Sequence, residues 1–274
     1  QAYHVFLTGT GFGGVALAIM SLCRPGDEIL VSDNVYGPTK ELTQDLMKEF
    51  NINAKFYDPD NFENLKQKVT KKTKMILVEN PGSNTFEFQD LSKIVSLARR
   101  KKIFTFLDNT WGTPLYLKPL KMGFDMSFSS ATKYFSGHSD AMGGSLAVNK
   151  KVFKKVMFFY KLSGYRMSAD EAYLIIRGLR TLDVRLKQHF ENTKIIINFL
   201  KKQKKIKEIL FPYKPSSRRY KLWKKYYSGA TGLFSIVIKS SKKSSVIRFI
   251  NSLELFGIGY SWGGFESLAL YQDL

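Results

Sequence analysis

Between residues 28 and 130 the chain alternates short apolar runs with amphipathic stretches, and this alternation leaves few folds open to it. "EILVSD" (28–33) reads as a buried strand and "GPTKELTQDLMKEF" (37–50) as a helix. "NAKFYD" predicts a strand, "NFENLKQKVT" a helix, and "KMILVEN" (74–80) another strand. "QDLSKIVSLARRKK" (89–102) is helical, and "IFTFLDN" (103–109) and "DMSFSS" (125–130) are strands. Such a βαβα order predicts an α/β fold with a mostly parallel sheet covered by helices on both faces. Ligands of such sheets bind at the carboxyl ends of the strands. The second half differs. Residues 172–203 form one long helical pattern, "GLFSIVIK" (232–239) a strand, and "SSVIRFINSLELF" (244–256) a helix. This predicts a large domain over 1–178 and a small C-terminal α+β domain over 179–274. No internal repeat or low-complexity linker is visible.

Three strand ends carry candidate chemistry. The first is the loop in "HVFLTGTGFGGVALAIM", where Gly9, Gly11 and Gly14 have G-x-G-x-x-G spacing. Asp33 follows Gly14 at the end of the next apolar run, so a dinucleotide site is one reading. The second is Asp108 in "LDNTWGTPLY", and the third is Lys133 in "SFSSATKYFSGHSDAMGG". A desolvated lysine has a lowered pKa and becomes a usable amine, and a buried carboxylate needs a cationic partner. A strand-end lysine flanked by hydroxyls, a strand-end carboxylate and a glycine-rich helix start together describe a pyridoxal phosphate site. A dinucleotide needs neither Lys133 nor Asp108. Ser130-Ala131-Thr132-Lys133 is also S-x-x-K, and "SDN" stands at 32–34, as in serine β-lactamases. Here their order is reversed, K-T-G is absent and the alternation is wrong for that fold.

The formal net charge of +20 raises an anion- or nucleic-acid-binding alternative. The lysines are spread through "KKTK", "RRKK", "KKVFKK" and "KKQKKIK", mostly at helix ends and outer faces, which fits a solvated surface. No window approaches a membrane span and no secretory signal is visible. Cys23 is alone in the apolar run "LAIMSLC" and reads as a small buried hydrophobe, consistent with a cytoplasmic protein. No metal site is expected: His4 and His189 have no sequence partners. His138 reads as a hydrogen-bonded structural residue, and Trp111 as a wall. The start at Gln1 and the end at "YQDL" predict a chain cut at both ends.

"LDNTWGTPLYLKPLKMGFDMSFSSATKYFSGHSDAMGG" resembles the Cys/Met-metabolism family of pyridoxal-phosphate enzymes. "VSDNVYGPTKEL", "RGLRTLDVRL" and "GIGYSWGGFESL" resemble the same family in the right order. The resemblance runs over nearly the whole chain and implies a type I aminotransferase-like fold. It assigns Lys133 as the Schiff-base lysine and proton carrier, and Asp108 as the partner of the pyridinium nitrogen. Tyr36 matches the tyrosine stacked on the cofactor ring, which also keeps the incoming amine neutral. Gly11 and Phe12 match the phosphate-binding backbone, with hydroxyls from Ser130 and Thr132. Ser261 and Trp262 match residues beside the substrate carboxylate. The opening loop then holds pyridoxal phosphate, and Asp33 is an ordinary strand-end residue.

The wording around Lys133 and Trp262 lies nearest to members that act at Cβ of L-cystathionine, yielding homocysteine, pyruvate and ammonia in methionine biosynthesis. Members that work at Cγ, as synthases or lyases, share Lys133, Asp108 and Tyr36 and remain the alternative. Many γ-specific members carry Asn at the place of Ser83, and "NPGSNTFEFQD" does not. Two family features have no counterpart here. They are an N-terminal Tyr-x-Arg pair that reaches a neighbouring subunit's phosphate and a C-terminal Arg that clamps the substrate carboxylate. The resemblance implies a homodimer or homotetramer, with sites built between subunits and a small-molecule sulfur amino acid as substrate.

Overall fold

The computed structural model describes residues 2–215, 217–240 and 242–273. Strand β1 (His4–Thr8) leads into helix α1 (Gly11–Leu22), followed by β2 (Glu28–Ser32). Helix α2 (Gly37–Glu41) continues through a π-helical turn at Leu42–Leu46 into α3 (Met47–Glu49). Then come β3 (Asn53–Tyr57), α4 (Phe62–Lys68), β4 (Thr73–Glu79), α5 (Leu91–Lys101) and β5 (Phe104–Asp108). Two short helices, α6 (Thr113–Tyr116) and α7 (Pro119–Met122), lead to β6 (Met126–Ser130) and β7 (Gly144–Val148). These strands form one sheet in the order β1-β7-β6-β5-β4-β2-β3. The run β3-β2-β4-β5-β6 is parallel, and β7 lies antiparallel between β6 and β1. The sheet is therefore α/β and mostly parallel, as the alternation predicts.

Side chains alternate across each strand, and both faces are dry. Val31, Met75, Leu77 and Phe106 point into a core shared with α1 and α8 (Lys150–Ser163). Leu30, Ile76, Val78 and Leu107 point to the opposite core, shared with α5 and with residues from the second half. A strand buried on both faces needs an unbroken apolar run, which is why "MILV" reads as it does. Helix α1 sits between the sheet and α8, and nine of its twelve residues are buried. Its sequence is apolar all round for that reason.

The helical pattern over 172–203 is two helices, α9 (Ala169–Leu179) and α10 (Leu182–Leu200). The break follows a close approach. A Cβ on Gly178 would lie 2.1 Å from the Ser136 carbonyl oxygen and 2.3 Å from that of Phe135. Arg185 then closes the corner, donating to the carbonyls of Tyr134 and Gly178, each at 2.8 Å. Beyond it lie β8 (Ile206–Leu210), α11 (Arg218–Tyr226) and β9 (Ser235–Ile238), with β8 and β9 antiparallel. Helix α12 (Lys243–Asn251) and the short parallel pair β10 (Gly257–Ile258) and β11 (Leu268–Ala269) complete the chain. No helix among the described residues is long and apolar enough to cross a membrane.

Candidate active site

Glu79, Asp108 and Ser130 end the neighbouring strands β4, β5 and β6, so their side chains share one end of the sheet. Glu79 and Asp108 are register partners. Asp108 Oδ1 accepts hydrogen bonds from the Thr110 N–H at 2.9 Å and the Thr110 hydroxyl at 2.5 Å. Thr110 Oγ1 in turn accepts from the Ser130 N–H at 2.9 Å. One threonine thus ties the ends of β5 and β6 together. Burial raises the pKa of Asp108 despite the Thr110 donors and the Lys133 ammonium. Burial and the charge of Asp108 raise that of Glu79.

Lys133 stands in the turn after β6. Its Nζ donates to Ser261 Oγ at 2.6 Å and lies 5.2 Å from the centre of the Trp262 ring. Burial lowers its pKa to about 8, against the pull of Asp108. A lysine in this state is a usable nucleophile and base near neutral pH. Ser261 has φ of +78°, a left-handed conformation that costs a non-glycine residue energy and clusters at functional sites. Gly263 (φ +87°) helps hold it. A Cβ there would come within 3.1 Å of the Tyr134 nitrogen and 3.2 Å of the Lys133 carbonyl carbon. The turn carrying Ser261 and Trp262 is therefore packed onto the backbone that carries Lys133. A cleft of about 340 Å³ opens beside Thr132, Ser261 and Trp262.

The glycine loop meets the same strand end. Thr10 caps α1, its hydroxyl accepting from the Gly13 N–H at 2.9 Å. The N–H groups of Gly11 and Phe12 have no protein acceptor among the described residues, and a helix N-terminus in this state favours an anion. A Cβ on Gly11 would lie 2.8 Å from Ser130 Oγ, so a side chain there would displace the Ser130 hydroxyl where helix start and strand end meet. Gly11, Phe12 and Ser130 thus form a cradle that fits a phosphate, with a buried carboxylate and a desolvated lysine alongside. These residues fit pyridoxal phosphate. They do not fit the dinucleotide fingerprint, because β1 lies at the sheet edge farthest from β2 and, among the described residues, pairs only with β7. Asp33 is in an exposed ion pair with Lys40.

Other candidates take varied positions. Tyr36 is exposed and caps α2, and its N–H donates to Glu79 Oε2 at 2.7 Å. The Thr132 hydroxyl accepts from the Gly143 N–H at 3.0 Å and faces the Gly143 carbonyl at 3.4 Å, so it also closes the turn. His138 Nδ1 lies 2.7 Å from the Ser136 carbonyl oxygen, a local structural contact. The Trp111 indole donates to the Leu233 carbonyl at 3.2 Å, and its ring is buried in the core against Phe88, Phe211 and Tyr227. Cys23 is buried and its thiol is pushed up to about 12, which leaves it inert. Among the described residues no cluster of potential metal ligands forms. Two residues escaped sequence reasoning: Thr110, which reads as a turn residue, and Glu79. Glu79 carried the signal that marks Asp108, a carboxylate ending an apolar run.

The profile of the Cys/Met metabolism PLP-dependent enzymes matches residues 1–273. A putative cystathionine β-lyase of Rhizobium johnstonii is 36% identical over 98% of this chain and 69% of its own length. An L-alanine/L-glutamate racemase of Wolbachia pipientis is 35% identical over 96% of this chain and 65% of its own. A cystathionine γ-synthase from Xanthomonas oryzae, solved with aminoacrylate and cysteine, superposes with a TM-score of 0.94 at 28% identity, covering 98% of this chain and 70% of that one. The chain spans about two thirds of the length of these relatives.

Proposed function

The chain belongs to the Cys/Met metabolism family of PLP-dependent enzymes, and from that premise we propose that it is a cystathionine β-lyase. In this reading it cleaves the Cβ–S bond of L-cystathionine in methionine biosynthesis, releasing homocysteine, pyruvate and ammonia. The observation that carries the reading is the desolvated Lys133 amine, held by Ser261 beside Trp262 and within the field of Asp108. The cofactor, when bound, supplies an electron sink for the carbanion at the substrate Cα. Asp108 Oδ2 is the oxygen left free by Thr110, and it would hold the proton on the ring nitrogen of the bound cofactor. Gly11 and Phe12 N–H and the Ser130 hydroxyl bind the phosphate, with Thr132 bracing the turn behind them. Lys133 Nζ removes the Cα proton. Tyr36 would cover the ring of the bound cofactor and keep the substrate amine neutral, and Ser261 and Trp262 would orient the substrate carboxylate.

Support for Cβ over Cγ comes from Ser83, whose hydroxyl turns back onto Glu79 at 2.5 Å. The names of several relatives agree with it. Chemistry at Cγ is the second reading, favoured by the close superposition on a γ-synthase. We further read the chain as a cytoplasmic homodimer or homotetramer. Phe158, Leu162, Tyr173 and Val184 lie on α8–α10 and are each at least 66% exposed, which a partner subunit would cover. The test is Lys133→Ala in cofactor-loaded protein. Loss of a proton-transfer group is expected to slow turnover of L-cystathionine by about 10³-fold. Turnover equal to the parent's overturns the assignment.

A further inference from the structure

Two carboxyl groups end adjacent strands at this site, yet their hydrogen bonds give them different tasks. Asp108 receives both Thr110 donors on Oδ1 and keeps Oδ2 free. Glu79 has both oxygens engaged. Oε2 accepts from the Tyr36 N–H at 2.7 Å and Oε1 from the Ser83 hydroxyl at 2.5 Å. Those donors belong to two separate loops. The loops also touch directly: the Ser83 N–H donates to the Asn34 carbonyl at 2.8 Å. A Cβ on Gly82 would lie 2.0 Å from Asn34 Nδ2.

Tyr36 needs such support. Its side chain is exposed, and the helix it caps has five residues and no side-chain cap. We propose that Glu79 is a positioning residue for Tyr36: its carboxyl ties the Tyr36 and Ser83 loops to the end of β4, beside the Asp108 that faces the ring nitrogen. The proposal rests on the pyridoxal phosphate reading of the site. In this role Glu79 spends one hydrogen bond on each oxygen on the two loops and none on the reacting atoms. It acts by fixing where the tyrosine stands over the ring. A raised pKa suits this task, since an uncharged carboxyl still accepts from an amide N–H and leaves the negative charge of the pair to Asp108.

Cofactor titration of the apo-protein tests this. The readouts are the dissociation constant for pyridoxal phosphate and the circular dichroism of the bound cofactor, which reports ring orientation. Glu79→Ala is expected to bind about tenfold more weakly with altered dichroism, from the loss of two hydrogen-bond acceptors. Glu79→Gln keeps an acceptor for the Tyr36 N–H, and is expected to stay within about threefold with the parent dichroism. In a Tyr36→Ala background, Glu79→Ala is expected to add less than about twofold, because both changes remove one function. Parental binding and dichroism in Glu79→Ala, or losses that multiply in the double variant, overturn the proposal alone. A parent protein that takes up no pyridoxal phosphate overturns the site reading and the proposal together. Should Glu79→Ala fail to fold, Glu79→Gln decides: a tenfold loss there contradicts a role that depends on acceptors rather than charge.

Discussion

Asp108 and Glu79 lie side by side because parallel pairing in register brings the last residues of β5 and β4 to the same level. Two carboxyls in one desolvated place cannot both ionise freely, and the Lys133 charge acts on Asp108. A carboxyl whose pKa rises on folding stabilises the fold below its unfolded value, and that contribution is lost as pH climbs through the raised value. Both carboxyls therefore favour the apo-protein below about pH 4 and progressively less above it. Lys133 behaves differently. Its pKa falls to about 8 on folding, so the unfolded chain binds more protons between about pH 8 and 10.5, and its penalty shrinks as pH rises through that window. Glu79→Gln removes one of the two carboxyls. Thermal unfolding of the apo-protein from pH 4 to pH 8 is expected to show a smaller loss of Tm in the variant. An equal loss in both proteins contradicts the shared desolvation of the pair.

At the scale of elements, close approaches fix where the chemistry stands. Helix α9 rests its Gly178 against the carbonyls of Phe135 and Ser136, in the segment that follows Lys133. Gly178→Ala puts a methyl group against backbone, which has no rotamer to move. It is expected to cost about 3 kcal/mol or more and to release the turn around Lys133, so pyridoxal phosphate uptake falls along with Tm. A Tm within about a degree of the parent's contradicts the packing described. The long pattern over 172–203 could not reveal this contact, because its residues are compatible with continuous helix and the break comes from a neighbour distant in sequence. Strands β2, β4 and β5 were legible because burial on both faces demands mostly apolar runs, and β6 because Met126 and Phe128 alternate with serines. Strand β8 was not, because the consecutive exposed residues Lys207 and Glu208 break its alternation, with a register shift between Ile206 and Glu208. Asp108 was found because it ends such a run. Glu79 has the same position, but its hydrogen-bond partners arrive from loops that sequence spacing cannot bring together.

The whole molecule combines a seven-stranded sheet, a glycine-rich helix start that meets the end of β6, and a second half that delivers Ser261 and Trp262 to Lys133. That last encounter spans 128 residues and was visible only through resemblance to a family. The apolar side chains exposed on α8–α10 predict association. Light scattering is expected to give at least twice the mass of one chain, and a monomer at micromolar concentration contradicts the assembly proposed. The most direct measurement supplies L-cystathionine to the cofactor-loaded protein and identifies the keto acid released. Pyruvate with homocysteine is the expected result and locates cleavage at the Cβ–S bond. 2-Oxobutyrate with cysteine contradicts the β-lyase assignment and moves the chemistry to Cγ.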